Sequence, residues 1–253
     1  MPSDHHRVAI VTGATSGIGE ATARKLVAEG FAVVGNGRTA DKLAALRSEL
    51  GAAFCGVTGD AADQSVIDEL FASARGCFGK PANTVIVNAG RGLGGTVKDT
   101  SRAELEDVLR VNVSAAFALM QQAAQQMVEA QHGVYPRAPA DIVVIGSVVG
   151  RHISPFSAVY GASKFAVHAL AEGLRREVGP KGVRVTLVEP GVVLSGFQSV
   201  AGYSDELVQG FEERFGPLLT GEDVAEAIRF VVSQPPHVHI SDIVVRPTRQ
   251  DYP

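Results

Sequence analysis

Residues 8–29 read Val8-Ala9-Ile10-Val11-Thr12-Gly13-Ala14-Thr15-Ser16-Gly17-Ile18-Gly19-Glu20-Ala21-Thr22-Ala23-Arg24-Lys25-Leu26-Val27-Ala28-Glu29. The first four residues form an unbroken apolar run of the length and β-branching of one buried strand. Glycines at 13, 17 and 19 then punctuate a turn, and from Gly17 to Glu29 the apolar spacing is helical. A glycine-rich passage from strand to helix brings backbone close to an anion: no Cβ intervenes, and the first helical amides have no intrahelical acceptor. Gly13, Thr15, Ser16, Gly17, Ile18 and Gly19 are therefore expected to wrap the phosphates of a dinucleotide. The spacing G-x3-G-x-G departs from the usual G-x-G-x-x-G, and no Gly-Lys-Ser/Thr follows, which excludes a P-loop.

The same alternation continues along the chain. Apolar runs at Ala32–Val34, Phe54–Val57, Thr84–Val87, Ile142–Ile145, Val183–Val188 and Ile240–Val245 alternate with helical spacing. The helical segments are Asp41–Leu50, Gln64–Arg75, Arg102–Ala130, Ser157–Val178 and Gly221–Ser233, the last opened by Thr220 as N-cap with Asp223 at its third position. Strand–helix alternation of this kind predicts an α/β fold. It is a doubly wound, Rossmann-type, seven-stranded and mostly parallel sheet with helices on both faces, in one domain over residues 1–253. Ligands then bind at the carboxyl ends of the strands. Gln131–Ala140, with its glycine and prolines, reads as a surface loop. Residues 194–219 carry weak helical spacing and scattered aromatics, which suits either a mobile cover over a site or a packed surface excursion.

Composition narrows the partner. Of 253 residues, 45% are hydrophobic and 20% charged, enough for one sizeable core. A net charge of -4 supplies no basic surplus for nucleic acid or an anionic membrane, and no apolar run approaches the length of a membrane span. Met1 to Arg7 lacks the pattern of a secretory leader. Cys55 and Cys77 stand apart without a C-x-x-C pairing and read as reduced thiols in a cytoplasmic protein. A small-molecule partner is the expectation.

Three motifs carry a resemblance. Thr12-Gly13-x-x-x-Gly17-Ile18-Gly19, Asn88-Ala89-Gly90 after the fourth strand, and Tyr160-x-x-x-Lys164 stand in the order and places seen in the short-chain dehydrogenase/reductase family, and the chain resembles that family over nearly its whole length. The resemblance implies that Asn88, Ala89 and Gly90 support the adenosine side of a nicotinamide cofactor and the central strand. It further implies that Asp60 contacts the adenine and that Pro190, Gly191 and Val193 line the nicotinamide. Ser195 stands where the family often has threonine. At the end of the second strand, where NAD enzymes usually place an acid, the chain reads Asn36-Gly37-Arg38-Thr39. No carboxylate repels a ribose 2'-phosphate there, and Arg38 offers a charge-assisted fork, so NADP is expected over NAD.

Tyr160 and Lys164 are one helical turn apart and leave the same face. By themselves such residues are commonly a solvated helix face. Small residues Gly161-Ala162-Ser163 between them favour close packing against a ligand or a neighbouring element. A phenol with an ordinary pKa near 10 is a poor base at neutral pH, and a neighbouring ammonium and an oxidised nicotinamide are expected to favour the phenolate. Tyr160 is then the general acid/base of a hydride transfer between NADP(H) and an alcohol/carbonyl pair. By resemblance, Ser147 bonds the substrate oxygen and Asn112 is the helix-kinking asparagine of the family. Arg91 and Arg151 suit either a substrate carboxylate or solvent. His237-Val238-His239 has no clustered partner, so no metal is expected. The ending Ile243–Thr248 resembles the branch acting on 3-hydroxy acids and serine-like alcohols. A carbonyl reductase or alcohol dehydrogenase is the leading reading and a non-catalytic NADP-binding regulator the rival. The resemblance also implies a homotetramer or homodimer through Arg102–Ala130 and Ser157–Val178, whose Ala-rich faces would otherwise stay exposed.

Overall fold

A computed structural model describes residues 7–252; residues 1–6, where a leader was sought, and residue 253 lie outside the described residues. The strands are β1 (Val8–Val11), β2 (Ala32–Gly37), β3 (Phe54–Thr58), β4 (Thr84–Val87), β5 (Asp141–Ile145), β6 (Arg184–Pro190) and β7 (Asp242–Val245). They form one sheet in the order β3-β2-β1-β4-β5-β6-β7, and every pairing is parallel. Each strand from β1 to β6 is followed by a helical crossover, and a crossover returns the next strand in the same direction.

The helices are α1 (Gly17–Ala28), α2 (Ala40–Leu50), α3 (Gln64–Phe78), α4 (Arg102–Leu109), α5 (Ala115–Gln131), α6 (Ala158–Val178), α7 (Phe197–Val200), α8 (Asp205–Phe215) and α9 (Gly221–Val232). Alternate residues of each central strand feed opposite faces. Ile10 packs into a layer with Ile67, Leu70, Met127 and Val167 from α3, α5 and α6. Ala9 and Val11 pack with Leu26, Leu43 and Ile228 from α1, α2 and α9. The strands are buried on both faces, which is why they read as continuous apolar runs.

Three local features depart from the sequence reading. The segment expected to be one helix from Arg102 is divided by a π-helical turn at Arg110–Ser114. Residues 194–219 are more ordered than the weak spacing suggested, holding α7 and α8, the latter capped by Ser204 Oγ on Leu207 N. Cys55 of β3 and Cys77 of α3 form a disulfide with Cα atoms 6.7 Å apart. Separation in sequence misled there, because α3 packs back along β3 and returns residue 77 to its start. The capping box at Thr220 forms as expected, with Asp223 Oδ2 accepting from Thr220 N at 2.8 Å.

At the amino ends of the strands sits a buried ion cluster that no motif announced. Asp141 accepts from Arg184 Nε at 2.7 Å and from Nη2 at 2.9 Å, and it also pairs with Arg7. The opposite, carboxyl ends of the strands carry the cleft.

Candidate active site

The glycine turn is shaped by backbone geometry. Gly13 and Gly17 have φ of +67° and +52°, a region that disfavours any side chain. A Cβ on Gly19 would stand 2.2 Å from Gly13 O, so this glycine lets α1 start directly against the turn. Thr12, quoted above but not assigned a role, ties the turn to the end of β4. Its Oγ1 accepts from Asn88 N and Ala89 N at 3.1 and 3.0 Å, and Asn88 Nδ2 donates to Thr12 O at 2.8 Å. Ser16 makes no side-chain cap on α1, so its hydroxyl does not occupy the first-turn amides.

A cleft of about 1000 Å³ opens at the carboxyl ends of the strands. Gly13, Thr15, Ser16, Gly17 and Ile18 line it, as do Arg38, Asp60, Asn88, Ala89 and Gly90. Ser147, Tyr160, Lys164, Pro190, Gly191 and Val193 complete the sequence-predicted residues on its wall. Gly19 and Asn112 stand behind that wall.

At the β2 end of the cleft, exposed Arg38 is joined by exposed Lys42, in the first turn of α2, which sequence reasoning missed. The available signal was its position one helical turn after Arg38. Neither cation makes an ion pair with any described residue; Arg38 meets Asp60 only through space. Burial works to raise the Asp60 carboxyl, but hydrogen bonds from Ala62 N and Arg110 outweigh it and hold the carboxyl below its ordinary range. Gly37 has no room for a side chain, because a Cβ would meet Thr15 Cγ2 at 2.3 Å.

At the other end, α6 presents Tyr160 and Lys164 to the cleft, and both are buried. Lys164 Nζ donates to Ile145 O at 2.8 Å and lies 5.8 Å from the centre of the Tyr160 ring. Burial lowers Lys164 to about 8. Burial also raises Tyr160, although a hydrogen bond with the Ser147 side chain pulls the other way. Desolvation is the largest of these influences in the protein alone. Phe197 of α7 closes edge-on to Tyr160, with ring centroids 5.4 Å apart. It fits there because Gly92 is bare; a Cβ would lie 2.6 Å from Phe197 Cζ.

Asn112 lies in the π turn and is buried. Its Oδ1 accepts from Arg91 N at 2.8 Å, while Nδ2 donates to Arg91 O at 2.9 Å and to Ser163 Oγ at 3.0 Å. Ser163 in turn donates to Tyr160 O at 2.7 Å. Asn112 thus staples the β4 loop to the helix carrying Tyr160. Arg91 pairs with Asp107 at the cleft margin. Arg151 is not on the cleft wall; its Nη2 donates to the fully buried Glu189 at 2.5 Å, so the structure does not bring it to a substrate. Among the described residues no cluster of three possible metal ligands exists, and no helix is long and apolar enough to cross a membrane.

Comparison with known proteins agrees with this geometry. The family model for short chain dehydrogenases matches residues 7–203. Serine 3-dehydrogenase of Agrobacterium fabrum is 31% identical over 245 residues, covering 96% of this chain and 94% of that protein. An uncharacterized oxidoreductase of Staphylococcus aureus is 33% identical over 242 residues, covering 95% and 97%. The closed form of a serine dehydrogenase complexed with NADP+ superposes with a TM-score of 0.84 at 31% identity, covering 97% of this chain and 96% of that one. Serine dehydrogenase from Escherichia coli gives 0.79 at 29% identity, covering 97% and 100%. The chain belongs to the short-chain dehydrogenase/reductase family and is an oxidoreductase of that family.

Proposed function

We propose that this short-chain dehydrogenase/reductase transfers a hydride between NADP(H) and a small alcohol/carbonyl pair, with Tyr160 as the general acid/base. The observation that carries the reading is the joint position of Tyr160, Ser147 and Lys164 on the wall of the cleft that also holds the glycine turn. The nicotinamide, when bound, supplies or accepts the hydride. This chain does the rest. Ser147 and the Tyr160 hydroxyl hold the substrate oxygen, and Tyr160 gives it a proton in reduction and withdraws one in oxidation. Lys164 places a positive charge below the phenol, and Asn112 fixes the helix through Ser163.

The residues fit a phosphate-bearing dinucleotide. Positive-φ glycines and an uncapped α1 terminus leave amides for a pyrophosphate. Arg38 and Lys42, without acidic partners among the described residues, suit a 2'-phosphate, and the NADP+ complex of the similar serine dehydrogenase supports the same choice. Pro190, Gly191 and Val193 stand at the nicotinamide end, and residues 194–219 cover the substrate side through Phe197, Tyr203 and Phe211. Likeness to serine dehydrogenases supports a CH-OH substrate of the 3-hydroxy-acid kind. We place the protein in the cytoplasm. We also propose a homotetramer or homodimer through α5 and α6, whose adjoining surfaces form an open groove that includes exposed Phe117.

The test is an NADPH-oxidation screen over ketones, aldehydes and 3-oxo acids, repeated with Tyr160→Phe. Turnover should fall by about two to four orders of magnitude, the usual contribution of a positioned acid/base, while NADPH affinity stays near wild type. Near wild-type turnover in Tyr160→Phe would remove the tyrosine from the mechanism.

A further inference from the structure

We propose that His168 is a positioning residue for Ser147, setting the turn that aims the serine hydroxyl at Tyr160; the inference rests on the dehydrogenase reading above. Tyr160, Lys164 and His168 recur every four residues along α6 and so share one stripe of the helix. The first two reach the cleft. The third runs beneath it, into the turn that follows β5.

The contact is specific on both sides of the ring. Ser147 N donates to His168 Nε2 at 3.2 Å. The imidazole occupies a slot that exists only because two residues of the turn are glycines. A Cβ on Gly146 would lie 2.4 Å from Nε2, and a Cβ on Gly150 would lie 2.4 Å from Nε2 and Cε1. With Nε2 accepting, the ring proton belongs on Nδ1, which faces Glu189 Oε2 at 3.6 Å. Glu189 is fully buried and is itself held by the forked guanidinium of Arg151. The arginine that seemed suited to a substrate carboxylate thus anchors a chain running Arg151–Glu189–His168–Ser147.

The surroundings keep the ring in the state this role needs. Burial lowers His168 to about 4, Lys164 and Arg151 add to that effect, and Asp242 opposes it. A neutral imidazole accepts at Nε2; a protonated one would set two N–H groups against each other. Ser147 Oγ also accepts from Val149 N at 3.4 Å, so the backbone of the turn and the direction of the hydroxyl are fixed together.

A ring that merely fills space would be replaced equally well by any side chain of similar volume. The discriminating pair is His168→Met and His168→Gln in the full-length protein, which match in length and differ in whether an acceptor reaches Ser147 N. Two readouts are taken: amide exchange of the peptide spanning residues 146–150, and kcat and KM for carbonyl reduction with NADPH. Loss of the hydrogen bond in His168→Met should speed exchange and lower kcat by about tenfold each, and His168→Gln should stay within about threefold of wild type. In a Ser147→Ala background, His168→Met should lower kcat by less than about twofold further, because the hydroxyl it aims is gone. Equal behaviour of Met and Gln, or an undiminished loss in the Ser147→Ala background, would overturn the proposal. If His168→Met does not fold, His168→Leu takes its place. A wild type that reduces no carbonyl would defeat the dehydrogenase reading instead, and the exchange readout would still decide whether His168 holds the turn.

Discussion

Replacing Lys164 by methionine should make the protein more stable and far less active. The lysine is buried, and a fall from its ordinary 10.5 to about 8 means that burial disfavours the ammonium by about 3 kcal/mol, at 1.36 kcal/mol per pH unit. Methionine keeps most of the packing and removes that charge. It also leaves Ile145 O without its donor, a loss of about 1–3 kcal/mol for a buried acceptor. A net gain of about 1 kcal/mol follows, or about 2–4 °C in Tm for a chain of this size. The pH dependence gives the stronger check. Between about 8 and 10.5 the unfolded lysine holds its proton and the folded one has lost it, so wild-type stability due to this group rises with pH across that window. The advantage of Lys164→Met should therefore be full below about pH 8 and fade towards pH 10.5. Urea unfolding of both proteins at pH 7 and pH 9.5, with NADPH oxidation measured alongside, tests this. A variant less stable than wild type at pH 7, with a gap that does not move with pH, would refute the reasoning.

Arg38→Ala should weaken NADPH binding by about tenfold and leave NADH unchanged, because only the 2'-phosphate meets the guanidinium; fluorescence titration with both cofactors measures it, and equal losses would contradict the assignment. Lys42→Ala should act in the same direction to a smaller extent. Asp141→Ala strips the shared carboxylate from Arg7 and Arg184. Two guanidiniums are then left buried without a counter-charge, held only by carbonyls and Thr84 Oγ1, which should lower stability by about 3–5 kcal/mol and Tm by roughly ten degrees, read by calorimetry without cofactor. Light scattering at micromolar concentration should give the mass of a dimer or tetramer, and Phe117→Glu in the groove between α5 and α6 should shift it towards monomer; a wild-type monomer would end the assembly reading.

The fold was legible where local and global signals coincide. Val8–Val11, Thr84–Val87 and the helix from Gly17 keep their sequence-read starts because strand, turn and helix each have a distinct period. Strand ends were read short where glycine or proline carries the pairing onward: β2 runs through Gly37, opposite Thr58, and β6 through Pro190, opposite Val245. What failed to show was non-local. The Cys55–Cys77 bond, the Asp141 cluster and the commitment of Arg151 to Glu189 are each made by residues from different elements, and no spacing rule encodes which elements meet. Lys42 was visible only through its spacing four residues beyond Arg38. Tyr160 and Lys164 were singled out by motif and Ser147 by resemblance, and all three line the cleft, but the direction of the tyrosine's shift depends on burial, which sequence does not carry.

That direction changes how the site should be understood. A phenol raised by burial stays protonated throughout the neutral range, so Tyr160 stands ready as an acid, the state carbonyl reduction requires. Raising an acid's pKa also weakens it, yet the group it must protonate is a nascent alkoxide, a far stronger base than a phenolate, so the transfer remains downhill. Oxidation demands the reverse, and desolvation opposes it. The hydrogen bond from Ser147 eases it, and a positive charge close to the ring acts in the same direction by general electrostatics. Lys164 supplies that charge only while its own pKa exceeds the working pH, and burial has brought it down to about 8. The dry setting around tyrosine and lysine therefore keeps both groups protonated near neutrality, which on the proposed mechanism is the starting state for reduction. On the same mechanism oxidation relies on Ser147 together with the charges of Lys164 and an oxidised nicotinamide.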